Sequence, residues 1–203
     1  MIETQPNRQK QEASIFERAK RFSVAEYHQW MDAGILTEDH ALELLEGIIF
    51  EKMPIHPPHR FVTDEIRQIL MRIVKDGYYV SGQQPVTTVE SEPEPDVFVV
   101  RGRSRDFLQS HPTPKNVPLV IEVSDSTLMT DQQVKKRIYA RAGIPIYWIV
   151  NLNDRQLELY SEPLQDIESP NYRQQTIYFP KDEFPVVIDG QTIGQIKVAD
   201  ILP

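Results

Sequence analysis

The sequence predicts an α/β protein of the α+β kind: a central mixed β-sheet flanked by helices, with additional antiparallel strands in its C-terminal third. Three observations carry that prediction. The runs DVFVV (96–100) and LVIEVS (119–124) are apolar at nearly every position, as strands covered on both faces are. Two longer segments repeat apolar residues at helical spacing. The order strand, strand, helix, strand through 96–151 fits helices laid on a mixed sheet.

The elements follow in order. Residues 1–22 begin MIETQPNRQKQEASIFERAK, polar and mixed in charge, which reads as a frayed or weakly helical leader and resembles no signal peptide. A single domain is expected over 23–203. Ser23-x-x-Glu26 is a capping-box pattern and starts a short helix to Met31. Leu44–Phe50 reads as a turn into a strand that MPIHPPH ends. From Arg60 to Lys75, Val62, Ile66, Ile69 and Ile73 form one face, and Asp64, Gln68, Arg72 and Lys75 the other. Strands are expected at Tyr78–Val80, Pro85–Val89, Asp96–Val100 and Leu119–Ser124. A helix over about Asp131–Ala142 is stopped by Gly143 and Pro145. Tyr147–Asn151 reads as a buried strand, and Asn153-Asp154 turns a hairpin into Gln156–Tyr160. Alternation through Tyr172, Thr176, Tyr178 and Val186–Ile188 suits antiparallel strands.

Composition narrows the chemistry. The 203 residues suit one domain with a sizeable core. The chain has no cysteine, which excludes disulfides and thiolate metal sites. A metal would sit on carboxylates, carbonyls or imidazoles, which favours hard cations such as Mg²⁺ or Mn²⁺. No apolar run approaches the roughly 18–20 residues that cross a bilayer, so no membrane role and a cytoplasmic location are expected. Lys and Arg number 22 against 30 Asp and Glu, a net charge of −8. That balance opposes tight non-specific binding to DNA, where phosphate neutralisation supplies most of the affinity. It does not exclude a nuclease with a local basic strip.

Three ionisable residues lie where a plain core would not place them. Asp96 opens an apolar strand directly after Pro95, and Glu122 sits inside LVIEVS. A buried carboxylate is costly unless paired, metal-bound or protonated. Counting from Lys135, positions i+3, i+4 and i+7 are Ile138, Tyr139 and Ala142, so this lysine lies on the apolar face of its helix. Lys136 lines up with Ala140 and Gly143, and Arg137 with Arg141, which reads as a solvated face. Two carboxylates on neighbouring strand ends can share a divalent cation, and a lysine beside them can orient water or meet a phosphate. The same three residues could equally form a structural ion pair.

At this point the chain resembles a known family. SEPEPDVFVV, HPTPKNVPLVIEVSDSTL, Asp131-x-x-x-Lys135-x-x-x-Tyr139-Ala140 and AGIPIYWIVNL occur in order, with FSVAEYHQWMDAGIL and LELLEGIIFEKMPIHPPH upstream and VADILP at the end. These motifs resemble the Uma-type family of restriction endonucleases, within the PD-(D/E)XK nuclease superfamily. The resemblance implies a restriction-endonuclease-like fold in which Pro95-Asp96 supplies the first acid and Glu122 the second, together holding Mg²⁺ or Mn²⁺. The superfamily lysine normally follows the second acid by two residues, where this chain has Ser124. In this family the helix supplies it, at the position of Lys135. Glu46 matches a family acidic position and would add to the site, or would be a turn-adjacent surface acid. Glu94 could share the strand face of Asp96 but reads better as a solvated loop acid, and His59 and His111, in proline-rich loops, read as caps or loop contacts in preference to ligands.

The function expected first is hydrolysis of phosphodiester bonds, with DNA as substrate. Asp96 and Glu122 would bind the metal, Lys135 and Glu46 would assist, and Arg101, Arg103 and Arg105 would touch the nucleic-acid backbone. The alternative is a non-catalytic interaction protein that keeps the fold. A glycosidase is disfavoured, because the inward lysine would have no task there. A homodimer is expected by analogy with enzymes that cut both strands.

Overall fold

The computed structural model describes residues 19–166 and 168–203. The leader lies outside the described residues as far as residue 18. Helix α1 (Val24–Asp32) starts at the expected cap: Glu26 N–H donates to Ser23 Oγ (3.2 Å) and Ser23 N–H to Glu26 Oε2 (2.8 Å). The LELLEGII run forms a whole hairpin, β1 (Leu42–Leu45) and β2 (Ile48–Glu51). Glu46 and Gly47 are its two turn residues, both at positive φ (48° and 77°), as the tightest hairpins require.

Helix α2 (Pro57–Ile73) begins three residues before the predicted start. Its leading prolines occupy the first turn, where a missing N–H costs nothing. His59 is therefore helical, not in a loop. Strand β3 (Tyr78–Ser81) follows. The strand expected at Pro85–Val89 does not form. Its amides bond singly to scattered loop carbonyls, Val86 to Pro93 (2.9 Å), Thr87 to Pro112 (3.0 Å) and Thr88 to Ser91 (2.9 Å), and no continuous ladder partner is available.

Strands β4 (Val97–Arg101) and β5 (Leu119–Ser124) match their apolar runs. One helical segment then comprises α3 (Leu128–Thr130), a π-helical turn (Asp131–Lys135) and α4 (Lys136–Arg141), ended by Gly143 at φ 75°. Strands β6 (Ile146–Asn151), β7 (Gln156–Leu164) and β8 (Asn171–Tyr178) complete a six-stranded sheet in the order β3-β4-β5-β6-β7-β8. Only β5 and β6 pair in parallel, and the helical segment is the crossover that such a pair needs. A hairpin of β9 (Glu183–Ile188) and β10 (Gln191–Lys197) lies against one face.

The sheet is buried on both sides, which explains the unbroken apolar runs. Val97, Val99, Ile121, Val123 and Trp148 meet α2 and the β9–β10 hairpin, while Phe98, Val100, Val120, Tyr147 and Ile149 meet α4 and Leu45. Each fully buried α2 anchor, such as Ile66 or Leu70, contributes about 1.5–3 kcal/mol of hydrophobic stabilisation. Among the described residues no helix is long and apolar enough to cross a membrane.

Candidate active site

The β4–β5 pairing sets the site. Val97 pairs with Ile121, so Asp96, one residue before β4, comes level with Glu122. The Asp96 amide donates to Glu122 Oε2 (3.4 Å), and Asp96 Oδ2 accepts the Val123 amide (2.8 Å). Gly82, at the end of β3, packs against the Asp96 backbone so closely that a Cβ there would meet its carbonyl oxygen at 2.2 Å. Because side chains alternate along β5, Val120 and Glu122 share the face toward the crossover helix.

Lys135 reaches that face as expected. Its Nζ lies 3.1 Å from Glu122 Oε1 and 3.2 Å from Glu43 Oε2. Tyr139, one turn on, donates its hydroxyl to Glu122 Oε1 (2.7 Å). Asp131, at the start of the π-helical turn, accepts hydrogen bonds from Ser124 Oγ (2.7 Å) and Thr127 Oγ1 (2.6 Å) and is buried. Turns of this kind recur at functional sites. Ser124, two residues after Glu122, thus anchors the helix that carries Lys135.

The cluster is short of positive charge. Burial alone would push the Lys135 ammonium down, but Glu122, Glu43, Asp131 and Asp96 raise it well above its ordinary value, so it stays protonated. Burial pushes the Glu122 carboxyl well up, and the charges of Asp96 and Asp131 push it the same way against Lys135. His59 stands on the opposite layer, its Nε2 3.2 Å from Asp96 Oδ2. Burial works against its charge, but Asp96 raises its pKa above the ordinary histidine value.

The structure brings Asp96, Glu122 and Lys135 together and sets Glu46 elsewhere. Glu46 accepts from Arg137 Nε (2.7 Å) and Arg141 Nη1 (3.3 Å), so these two arginines clamp it instead of facing water freely. The acid from the first hairpin that reaches Lys135 is Glu43. Sequence reasoning missed it, although an acid flanked by leucines in LELL carries the same signal as Glu122 in LVIEVS. Glu94 pairs with Lys52, and the His111 ring stands edge-on to His28, centroids 6.5 Å apart. Arg101 is held by Asp189 (2.9 Å) and the Lys115 carbonyl, and Arg103 by Asp106 (3.5 Å).

No three His, Asp or Glu side chains among the described residues already close into a cation shell. The donor set nevertheless fits a hard divalent ion: carboxylate oxygens and an imidazole, no sulfur, and a surplus of negative charge around Glu122. A mixed sheet with two acids level on an antiparallel pair, and a lysine brought in by the crossover helix, defines a protein of nuclease-like fold. The chain belongs to the Uma2 family, described as "Putative restriction endonuclease", whose model matches residues 24–193. The crystal structure of "a putative nuclease belonging to DUF820" from Anabaena variabilis is similar in fold, with a TM-score of 0.63 and 14% identity over 84% of this chain and 94% of the other. Among curated proteins none matches.

Proposed function

We propose that the protein is a metal-dependent endonuclease that hydrolyses phosphodiester bonds in DNA. The observation that supports this most is the convergence of Asp96, Glu122 and Lys135 from β4, β5 and the crossover helix onto one buried point. Asp96 and Glu122 would hold Mg²⁺ or Mn²⁺, which when bound acts as a Lewis acid on the phosphate and lowers the pKa of attacking water. Lys135 would carry its ammonium to the developing phosphate charge or orient the water, held in place by Glu43 and Glu122. Tyr139 fixes the Glu122 carboxyl by donating to Oε1, the oxygen that Lys135 also meets. Glu46, on this reading, acts at a distance by locking the helix to the first hairpin through Arg137 and Arg141. Two copies would pair to address both strands, in the cytoplasm.

The test is cleavage of plasmid and of single-stranded DNA and RNA by purified protein with Mg²⁺ or Mn²⁺, beside calorimetry of the metal alone. Cleavage lost in Asp96→Asn, Glu122→Gln and Lys135→Ala supports the reading. No cleavage of any nucleic acid, with divalent binding absent at millimolar concentration, overturns it. The −8 charge would then favour an interaction protein on a retained fold.

A further inference from the structure

We infer that Glu158 is a positioning residue for Lys135, acting through Gln132 to hold open the π-helical turn that carries the lysine. The inference rests on the reading of Lys135 above and adds a buried carboxylate that the proposed chemistry does not use. Three observations carry it.

The first is the place of Glu158 in the sheet. Register sets Glu122 of β5 opposite Ile149 of β6, and Ile149 opposite Glu158 of β7. Residues in one such row share a face of the sheet. Glu122 and Glu158 therefore both look toward the crossover segment, and both are buried. Lys135 meets the first of them, and Gln132, three residues earlier, meets the second.

The second is what Glu158 holds. Its carboxylate accepts from Gln132 Nε2 (2.8 and 3.0 Å), Asn151 Nδ2 (3.1 Å), Gln156 Nε2 (3.2 Å) and the Tyr160 hydroxyl (2.6 Å). Burial opposes its charge, but these four neutral donors bring its pKa below 4.5, so it stays ionised. Lys136 acts on it by charge alone, from over the Tyr160 ring. Asn151, Gln156 and Tyr160 belong to β6 and β7. Of the four donors, Gln132 alone comes from the crossover segment, so it ties the helix to the sheet.

The third is the turn itself. The Lys136 amide donates to the Asp131 carbonyl, five residues back, in place of the four of an α-helix. Such turns are rare, and this one is braced from outside. Tyr147 donates its hydroxyl to the same Asp131 carbonyl (3.1 Å), Ser124 and Thr127 hold the Asp131 carboxylate, and Glu158 holds Gln132. Lys135 is the last residue of the turn. Closing it to the α form would pass the Asp131 carbonyl from the Lys136 amide to the Lys135 amide, and shift Lys135 along and around the helix relative to Gln132. A fixed Gln132 therefore fixes where Lys135 points.

The experiment uses the full chain and reads the turn without nucleic acid. Gln132→Met removes the tie and leaves Glu158 its three donors from the strands. Glu158→Gln keeps an acceptor oxygen, and Gln132→Glu combined with Glu158→Gln restores the hydrogen bond with its direction reversed. Amide exchange at Lys136, followed by NMR, reports the turn. Acylation of Lys135 by an amine-reactive ester, followed by mass spectrometry, reports the lysine. In Gln132→Met both should quicken by about tenfold, the loss of one hydrogen bond to a charged group, with the β5 and β6 amides unchanged. Glu158→Gln should show a smaller change, and the swapped pair should recover. Single-turnover cleavage with Mn²⁺ should fall roughly ten- to a hundredfold in Gln132→Met at unchanged KM, and recover in the swapped pair. Unchanged exchange and acylation in Gln132→Met, faster exchange across the whole sheet, or a swapped pair as loose as Gln132→Met overturns the positioning role. A turn that loosens and recovers as expected, in a protein that cleaves no nucleic acid, keeps the positioning of Lys135 and removes the hydrolytic reading.

Discussion

The crossover segment meets carboxylates at two places, and the two are built in opposite ways. At Lys135 one ammonium serves four carboxylates, Glu122, Glu43, Asp131 and Asp96. Two and six residues along, Arg137 and Arg141 close on the single carboxylate of Glu46, with Arg21 reaching the Glu46 carbonyl. The Glu46 clamp is electrically complete, and a fully paired network makes structure. The Lys135 cluster sets one ammonium against several acids, and burial holds Glu122 well above its ordinary pKa, the kind of perturbation that functional sites concentrate. Residues two positions apart on one helix thus serve different ends because their faces meet different numbers of acids.

The comparison breaks most visibly at Lys135. Lys135→Ala should lower cleavage on the order of 10²–10³-fold while metal affinity and fold persist, measured by single-turnover cleavage and calorimetry. A parallel fall in metal affinity would place Lys135 in the structural frame instead. At the clamp the effect should move to stability alone. Glu46→Ala leaves two arginines that are about a third exposed and can hydrate, so the loss should be about 1–2 kcal/mol in urea unfolding, with metal affinity unchanged.

Acidity sharpens the contrast. Burial raises the Glu46 carboxyl in isolation, but the hydrogen bond and charge of Arg137, with Arg141 and Arg21, bring its pKa below 4.5. A lowered folded-state value means that the clamp stabilises the protein above 4.5 and is lost as pH falls through the lowered value. Glu122 runs the other way. Its pKa is raised well above 4.5, chiefly by burial, so its proton is held more tightly in the fold and its contribution to stability fades as pH rises through the raised value. A cation must displace that proton. Metal affinity should therefore climb with pH above 4.5, by up to about tenfold per unit for each proton released, with proton release visible as a buffer-dependent binding enthalpy. Affinity flat with pH would show Glu122 ionised before the metal arrives. The smallest effect belongs to Lys136, whose ammonium lies 5.1 Å over the Tyr160 ring. Lys136→Ala should cost about 0.5–1 kcal/mol in unfolding and leave cleavage intact.

Which parts of this were legible in the sequence follows from what each residue's neighbours reveal. Apolar runs announce strands buried on both faces, and Ser23-x-x-Glu26 announces its helix, because those signals are local. Lys135 was legible from its position on the helix face. Glu43 and His59 were not, for two physical reasons. The LELL run was counted as the approach to a turn, so the carboxylate between its leucines was passed over. The proline pair before His59 was read as a loop, although Pro at the first helical positions starts a helix. Arg137 and Arg141 could not be assigned to Glu46 by any local rule, since the contact spans 91 residues. The false strand at Pro85–Val89 shows the reverse error: β-branched residues without a partner ladder remain a loop.

The β4–β5–β6 arrangement also bears on when the cluster comes into being. The acids and the lysine come from chain positions 43, 96, 122 and 135, and they meet only after an antiparallel pairing and a parallel crossover have both closed. Contacts of such long sequence separation form late, because loop closure must precede them. A growing or partly folded chain therefore carries every residue of the cluster yet holds them apart. In refolding from denaturant, metal binding should arrive with the final kinetic phase and not with the early helices. Topology acts here as a timer: the cluster exists only in the finished molecule.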